Sequence, residues 1–165
     1  MSAVAPPRRE RPTARVLLLD PADRILLMKG RLPSAPDAAG AWFTIGGGVE
    51  PGEGLYEAAA REVREETGFA DVVFGEVAWC GEVTLLDRKR RPVLFKDTFI
   101  LARCAGGTVS RDGWQALERE FVDDIRWWRL AELEVTRESV WPADLAERLR
   151  RALGLSALGA PQSTM

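Results

Sequence analysis

The sequence predicts an α/β (α+β) fold in which helices pack on a mixed β-sheet. Runs of Val, Ile and Leu long enough for strands alternate with clusters of turn residues along the chain. One amphipathic helix, at residues 55–67, lies between a glycine-rich turn and Gly68, which suits a left-handed helix cap. The chain has 165 residues, of which 46% are hydrophobic and 29% are charged. These values are typical of a single globular domain.

The remaining elements follow from the same patterns. Apolar runs bounded by turn residues predict strands at residues 13–20, 24–29, 41–45, 71–86, 93–102 and 125–128. The first two strands are predicted to form a β-hairpin, and the third leads into three successive glycines. Short helices are predicted at residues 130–133 and 142–153. We therefore expect a domain at residues 12–153, with a flexible N-terminal arm at 1–11 and a flexible C-terminal tail at 154–165.

The helix at residues 55–67 carries a tight cluster of carboxylates. At about 100° per residue, Glu62, Glu65 and Glu66 fall within an arc of roughly 100°. Carboxylates this close repel one another, and a bound divalent cation would reverse that repulsion. Because Mg²⁺ prefers oxygen ligands and is usually held by a few carboxylates together with substrate phosphates, the arc predicts a metal site for a phosphate chain. The side of the helix that is predicted to be buried carries Tyr56, Ala59, Ala60, Val63 and Thr67.

Composition excludes several classes of function. The formal net charge of -2 argues against broad attraction to nucleic acid or to an anionic membrane. The chain has no histidine, so a general base has to be a carboxylate, lysine, tyrosine, thiol or metal-bound water, and histidine-dependent triads are excluded. No segment resembles a signal peptide or a membrane span, which predicts a cytoplasmic protein. Cys80 and Cys104 are interpreted as free thiols.

The stretch at residues 47–69 resembles the Nudix box. Every fixed position of that pattern is filled, by Gly47, Glu53, Arg61, Glu62, Val63, Glu65, Glu66, Gly68 and Phe69. A charged helix face laced with ion pairs would explain the central Arg and Glu residues alone, but not the glycines that stand in register with them. The resemblance implies a Nudix-type α/β/α sandwich with a mixed β-sheet. One departure lies beside the box, where family members commonly have Pro-Gly-Gly and this chain has Ile45-Gly46-Gly47.

The resemblance also implies an activity and a set of roles. The expected reaction is Mg²⁺-dependent hydrolysis of the diphosphate linkage in a nucleoside diphosphate joined to another group X, with Mn²⁺ as a substitute metal. Glu62, Glu65, Glu66 and the backbone carbonyl of Gly46 are the implied metal ligands. An ion pair between Arg61 and Glu53 is expected to orient the helix carboxylates.

The general base stays open at this stage. Members of the family place it either on a glutamate of the helix or on one in a later loop. In the later part of the chain Glu120 is slightly preferred to Glu118, with a solvated surface position as the alternative for each, and Asp123 and Asp124 follow. The residues suggested for a nucleobase slot are Trp42, Phe43, Phe95 and Trp114.

Two other functions share this fold. A non-catalytic Nudix module would bind a nucleotide or ADP-ribose as a regulator, but such modules tend to lose the box carboxylates that this chain retains. An isomerase of isopentenyl diphosphate is ranked last, because its cysteine context is not evident. The identity of X stays open, and so does the oligomeric state, with a homodimer as one arrangement.

Overall fold

The structure is a computed structural model that describes residues 9–155. Within this range seven strands and four helices follow the order β1 (Arg9–Leu19), β2 (Ile25–Gly30), β3 (Ala41–Gly48), α1 (Leu55–Thr67), β4 (Val73–Leu86), β5 (Pro92–Arg103), α2 (Ala116–Phe121), β6 (Val122–Trp128), α3 (Leu130–Val135), β7 (Val140–Trp141) and α4 (Leu145–Ala152). None of these helices is long and apolar enough to cross a membrane.

The strands form one mixed sheet in the order β4-β5-β1-β2-β3-β7, and β6 pairs with β2. The pairs β1–β5 and β3–β7 are parallel, whereas the other pairs are antiparallel. The first part of β1 also pairs with the glycine-rich end of β3, where Thr13 faces Gly48 and Arg15 faces Gly46. The mixed sheet confirms the predicted fold class.

Two apolar clusters lie on the two faces of the sheet. Along β1, Val16 and Leu18 belong to the cluster that contains α1, whereas Leu17 and Leu19 belong to the cluster that contains α4. This alternation follows from the two-residue period of a strand, because successive side chains point to opposite faces. The sheet is therefore covered by a helix on each side, as in a sandwich.

The element boundaries agree with the sequence in part. Helix α1 spans Leu55–Thr67 as predicted. Strand β1 begins four residues earlier than expected, at Arg9, because it pairs with β5 along its whole length. The last helix begins at Leu145 rather than at residue 142. Helix α2 and the two-residue strand β7 were not predicted. Most of the predicted arm and tail lies outside the described residues, although residues 9–11 belong to β1.

Candidate active site

Helix α1 presents the box carboxylates, and its ends are formed by glycines. Gly68 adopts the left-handed conformation, with φ at 79°, and donates its N–H to the carbonyl oxygen of Arg64. The predicted buried side is wrong in part: Tyr56 is 45% exposed, whereas Glu62 and Glu66 are buried. The angular count had placed all three carboxylates beside the buried face, but the helix docks against β3, and this contact covers two of them.

Glycines of β3 make room for the two buried carboxylates. A Cβ atom on Gly47 would lie only 2.5 Å from Oε1 of Glu62. The N–H of Gly46 donates a hydrogen bond of 2.9 Å to Oε2 of Glu66. Gly46 has φ at 138°, and a Cβ atom there would lie 2.0 Å from the carbonyl oxygen of Ala14. The glycine run is therefore required by sterics, and it brings backbone polar groups against the acidic face of α1.

Arg61 connects the carboxylates of the box. Its Nε and Nη2 donate to the two carboxylate oxygens of Glu53 at 2.8 and 2.9 Å, which is a bidentate ion pair. Its Nη1 donates to Glu62 at 2.8 Å and to Glu65 at 3.4 Å, while Nη2 also donates to the carbonyl oxygen of Gly48 at 2.9 Å. The Arg61 hydrogen bond lowers the pKa of Glu53 to about 2. The structure thus places Arg61 between Glu53 and the helix carboxylates.

Burial makes the two inner carboxylates costly to ionise. Burial raises the pKa of Glu62 against the opposing effect of Arg61. Burial and then the charge of Glu62 raise the pKa of Glu66 well above its ordinary value. Two like charges held together at low exposure are stabilised by a divalent cation, and carboxylate oxygens are the ligands that Mg²⁺ prefers. The donor set therefore fits the implied metal.

Within residues 9–155 no three acidic, cysteine or histidine side chains converge as a ready metal site. The guanidinium of Arg61 lies between Glu62 and Glu65 and forms an ion pair with each. Glu65 is the more exposed of the two, at 33% of its side chain, so it has the greater freedom to turn.

These carboxylates line an open cleft of about 650 Å³. Glu118 of α2 also lines the cleft, whereas the exposed side chain of Glu120 lies 3.4 Å from Arg88. Asp123 pairs with Arg31, and Asp124 accepts a hydrogen bond from the backbone N–H of Ile125. The structure therefore brings Glu118 to the helix carboxylates, and not the residue that the sequence favoured.

The segment before α2 is fastened to the end of α1. The indole N–H of Trp114 donates to the carbonyl oxygen of Glu66 at 2.7 Å, and the N–H of Ser110 donates to Thr67 at 2.8 Å. A Cβ atom on Gly113 would lie 2.6 Å from the carbonyl oxygen of Glu65. These contacts hold the segment before α2 against the end of α1, and Glu118 of α2 therefore lies at the cleft.

Helix α2 begins with a capping arrangement that the sequence signals only weakly. Gln115 and Glu118 form a capping box, with the carboxylate of Glu118 accepting the N–H of Gln115 at 2.9 Å. The usual box begins with Ser or Thr, so Gln115 hides the pattern although the spacing of three residues is present in the sequence. Sequence reasoning also missed Arg9 and Arg11, which line the cleft from β1.

A smaller cavity, of about 250 Å³, is mainly apolar. Phe43 and Phe95, both suggested for a nucleobase slot, line it together with Trp141. The other two suggestions are core residues, since Trp42 is 2% exposed and Trp114 is 6% exposed. A cavity of this size accepts one ring system rather than a whole nucleotide.

Comparisons with known proteins identify the family of this chain. The family model described as the NUDIX domain matches residues 9–149. The 8-oxo-dGDP phosphatase NUDT18 of Mus musculus is 31% identical over 93 residues, which are 56% of this chain and 25% of that protein. This chain therefore spans only about a quarter of the length of that relative.

Solved structures show the same fold. The MutT protein of Methanosarcina mazei Go1 has a TM-score of 0.59 and 22% identity, covering 89% of this chain and 95% of that one. The NUDIX domain of Shewanella oneidensis NrtR, solved in complex with ADP ribose, has a TM-score of 0.62 and 18% identity, covering 88% and 90%. The family match over most of the chain confirms the resemblance drawn from the box, and the protein belongs to the NUDIX domain family.

Proposed function

We propose that this protein is a Mg²⁺-dependent hydrolase that cleaves the diphosphate linkage of a nucleoside diphosphate joined to another group X. The observation that carries the proposal is the pair Glu62 and Glu66, two buried carboxylates of raised pKa that face an open cleft. Buried like charges are costly to the fold, and they are expected where a cation and its phosphate ligand bind. Membership of the NUDIX family supports the proposal.

Glu62, Glu65 and Glu66, with the backbone carbonyl of Gly46, would hold the metal. When bound, Mg²⁺ or Mn²⁺ supplies neutralisation of phosphate oxygens and a lower pKa for the attacking water. Arg61 keeps Glu62 in place through one nitrogen while Glu53 holds the other side of the guanidinium. Replacement of Arg61 or Glu53 should therefore change the geometry of the metal ligands rather than remove one.

Among the later glutamates we propose Glu118 of α2 as the general base, and a glutamate of α1 stays the alternative. Glu118 lines the cleft, and its charge acts on both Glu62 and Glu66. The side chain of Glu120 is 62% exposed, pairs with Arg88 and does not line the cleft, so it is the weaker candidate. A base role predicts that Glu118→Gln lowers kcat by about 10²- to 10⁴-fold, whereas Glu120→Gln keeps the wild-type rate.

The substrate is proposed at the level of its class. The chain is similar to a named 8-oxo-dGDP phosphatase and to a domain solved with ADP ribose, so both nucleotides belong in a test panel. The apolar cavity beside Phe43 and Phe95 is the proposed site for the base. The cytoplasmic location and the homodimer stay predictions from the sequence.

The test is a screen of purified protein against nucleoside diphosphate derivatives in Mg²⁺, with the products identified by mass. Glu66→Gln should leave a folded protein whose metal-dependent turnover is lower by orders of magnitude, because a buried ligand is lost. Glu120→Gln is the matched control, since it removes the same charge outside the cleft. Equal turnover by wild-type protein and Glu66→Gln would refute the proposal.

A non-catalytic nucleotide-binding module is the second candidate. The observation in its favour is that Arg61 already pairs with Glu62 and Glu65, so part of the negative charge of the acidic arc is offset by a protein group. This module would bind a nucleotide in calorimetry and give no product in the mass screen. Product formation that depends on Glu66 excludes it.

A further inference from the structure

Arg11 is a cationic residue of the cleft that, among the described residues, forms no ion pair with the cleft carboxylates. It lies on β1 and lines the cleft together with Glu62 and Glu65. Arg61, by contrast, is bonded to three carboxylates and to a backbone carbonyl. Among the described residues, no hydrogen bond or ion pair engages the guanidinium of Arg11. Within residues 9–155 the donors of Arg11 are therefore unused, although this arginine lines the cleft.

Gly48 provides the place where this guanidinium lies. A Cβ atom on Gly48 would be 2.6 Å from Nε, 2.7 Å from Nη2 and 3.0 Å from Cζ of Arg11. Real Cβ atoms essentially never approach another heavy atom within 3.0 Å, so any other residue at position 48 would displace the arginine head group. The guanidinium thus packs against backbone that only a glycine leaves open.

Strand pairing holds this contact in register. Thr13, two residues after Arg11 on β1, faces Gly48 across the β1–β3 pair. The N–H of Val49 donates to the carbonyl oxygen of Pro12 at 2.9 Å, which ties the two strands together beside the arginine. Gly47 seats Glu62 in the same manner, so consecutive glycines place a carboxylate and a guanidinium next to each other in the cleft.

The chemistry of this arrangement suits a phosphate. The cleft is strongly acidic, because it is lined by Glu62, Glu65, Glu66 and Glu118. These charges would repel a phosphate that enters without a bound cation. The guanidinium is a planar fork of donors that matches phosphate oxygens in a bidentate manner. We propose that Arg11, seated on Gly48, binds the substrate phosphate that neighbours the one held at the helix carboxylates. This role rests on the proposed diphosphate substrate.

Inorganic pyrophosphate is the probe that tests the role without turnover. Its dissociation constant is measured by titration calorimetry in Mg²⁺ for the full chain, for Arg11→Ala and for Gly48→Ala. Each substitution should raise the dissociation constant about tenfold or more, because one removes the charged donors and the other displaces them. Arg11→Lys keeps the charge without the fork and should recover part of the affinity.

Arg64→Ala is the matched control, because Arg64 is an exposed arginine of α1 outside the cleft lining. It should change the dissociation constant by no more than about twofold, as expected for a surface charge. Thermal unfolding of each variant shows that the protein is folded at the titration temperature. The inference is overturned if the wild-type protein does not bind pyrophosphate, if Arg11→Ala or Gly48→Ala binds it normally, or if Arg64→Ala loses as much affinity.

The two proposals fail separately. If pyrophosphate binding depends on Arg11 but no nucleotide is cleaved, the phosphate site stands and the hydrolase assignment falls. If a nucleotide is cleaved in a Glu66-dependent manner while Arg11→Ala binds pyrophosphate normally, the hydrolase assignment stands and Arg11 has no role in phosphate binding.

Discussion

Gly47→Ala should separate the position of Glu62, a proposed metal ligand, from the stability of the fold. The new Cβ atom would lie 2.5 Å from Oε1 of Glu62, whereas ordinary contact begins at 3.4 Å, so the carboxylate has to move by about 1 Å. The atom in the way is the end of a flexible side chain, and the backbone is therefore not strained. A shift of about 1 Å at a reacting centre costs on the order of 100-fold in rate, or about 2.7 kcal/mol in the transition state.

The assay compares kcat/KM in Mg²⁺ on the best substrate of the screen with the free energy of unfolding in urea. Gly47→Ala should lose about 100-fold in kcat/KM, while its stability stays within about 1 kcal/mol of wild type. Gly81→Ala is the control, because nothing lies within 4 Å of a Cβ atom at that position of β4. Wild-type kcat/KM in Gly47→Ala would show that the glycine does not seat Glu62.

Three further predictions concern stability. Burial and the Glu62 charge raise the pKa of Glu66, so its contribution to stability is lost as pH rises through that raised value. Glu66→Gln should therefore raise the unfolding temperature of the metal-free protein at neutral pH but not below pH 4.5. A gain of equal size at both pH values would contradict this. Glu53 has a pKa lowered to about 2 by Arg61, so its contribution is present above pH 4.5 and is lost as pH falls toward 2. Urea titrations across that window should show a weaker pH dependence in Arg61→Ala, and an unchanged slope would count against the ion pair. Trp114→Phe removes the indole N–H that bonds to the carbonyl of Glu66, so it should lower the free energy of unfolding in urea by about 1–2 kcal/mol. An unchanged free energy of unfolding would show that this bond is not formed in solution.

Local patterns were sufficient for helix α1. Its amphipathic spacing and the glycine after its last turn predicted both ends of Leu55–Thr67. The register of Arg61 with Glu53 was also visible, since the box has fixed gaps. Short elements were harder, because β7 has two residues and depends on its parallel pairing with β3. The early start of β1 likewise depends on a partner far along the chain.

The sequence by itself determined the acidic arc of α1, the glycines beside it and therefore the class of chemistry. Only the tertiary structure decided which carboxylates are buried and which later glutamate reaches them. Glu62 and Glu66 are buried because β3 offers bare glycine backbone to the acidic face, a contact that a helical wheel does not contain. Glu118 lines the cleft because Trp114 anchors its segment to the end of α1 across 48 residues of chain. Spacing along one helix is a local property. The burial of a carboxylate, and its distance from a glutamate far along the chain, depend on pairs of residues that only the folded chain brings together.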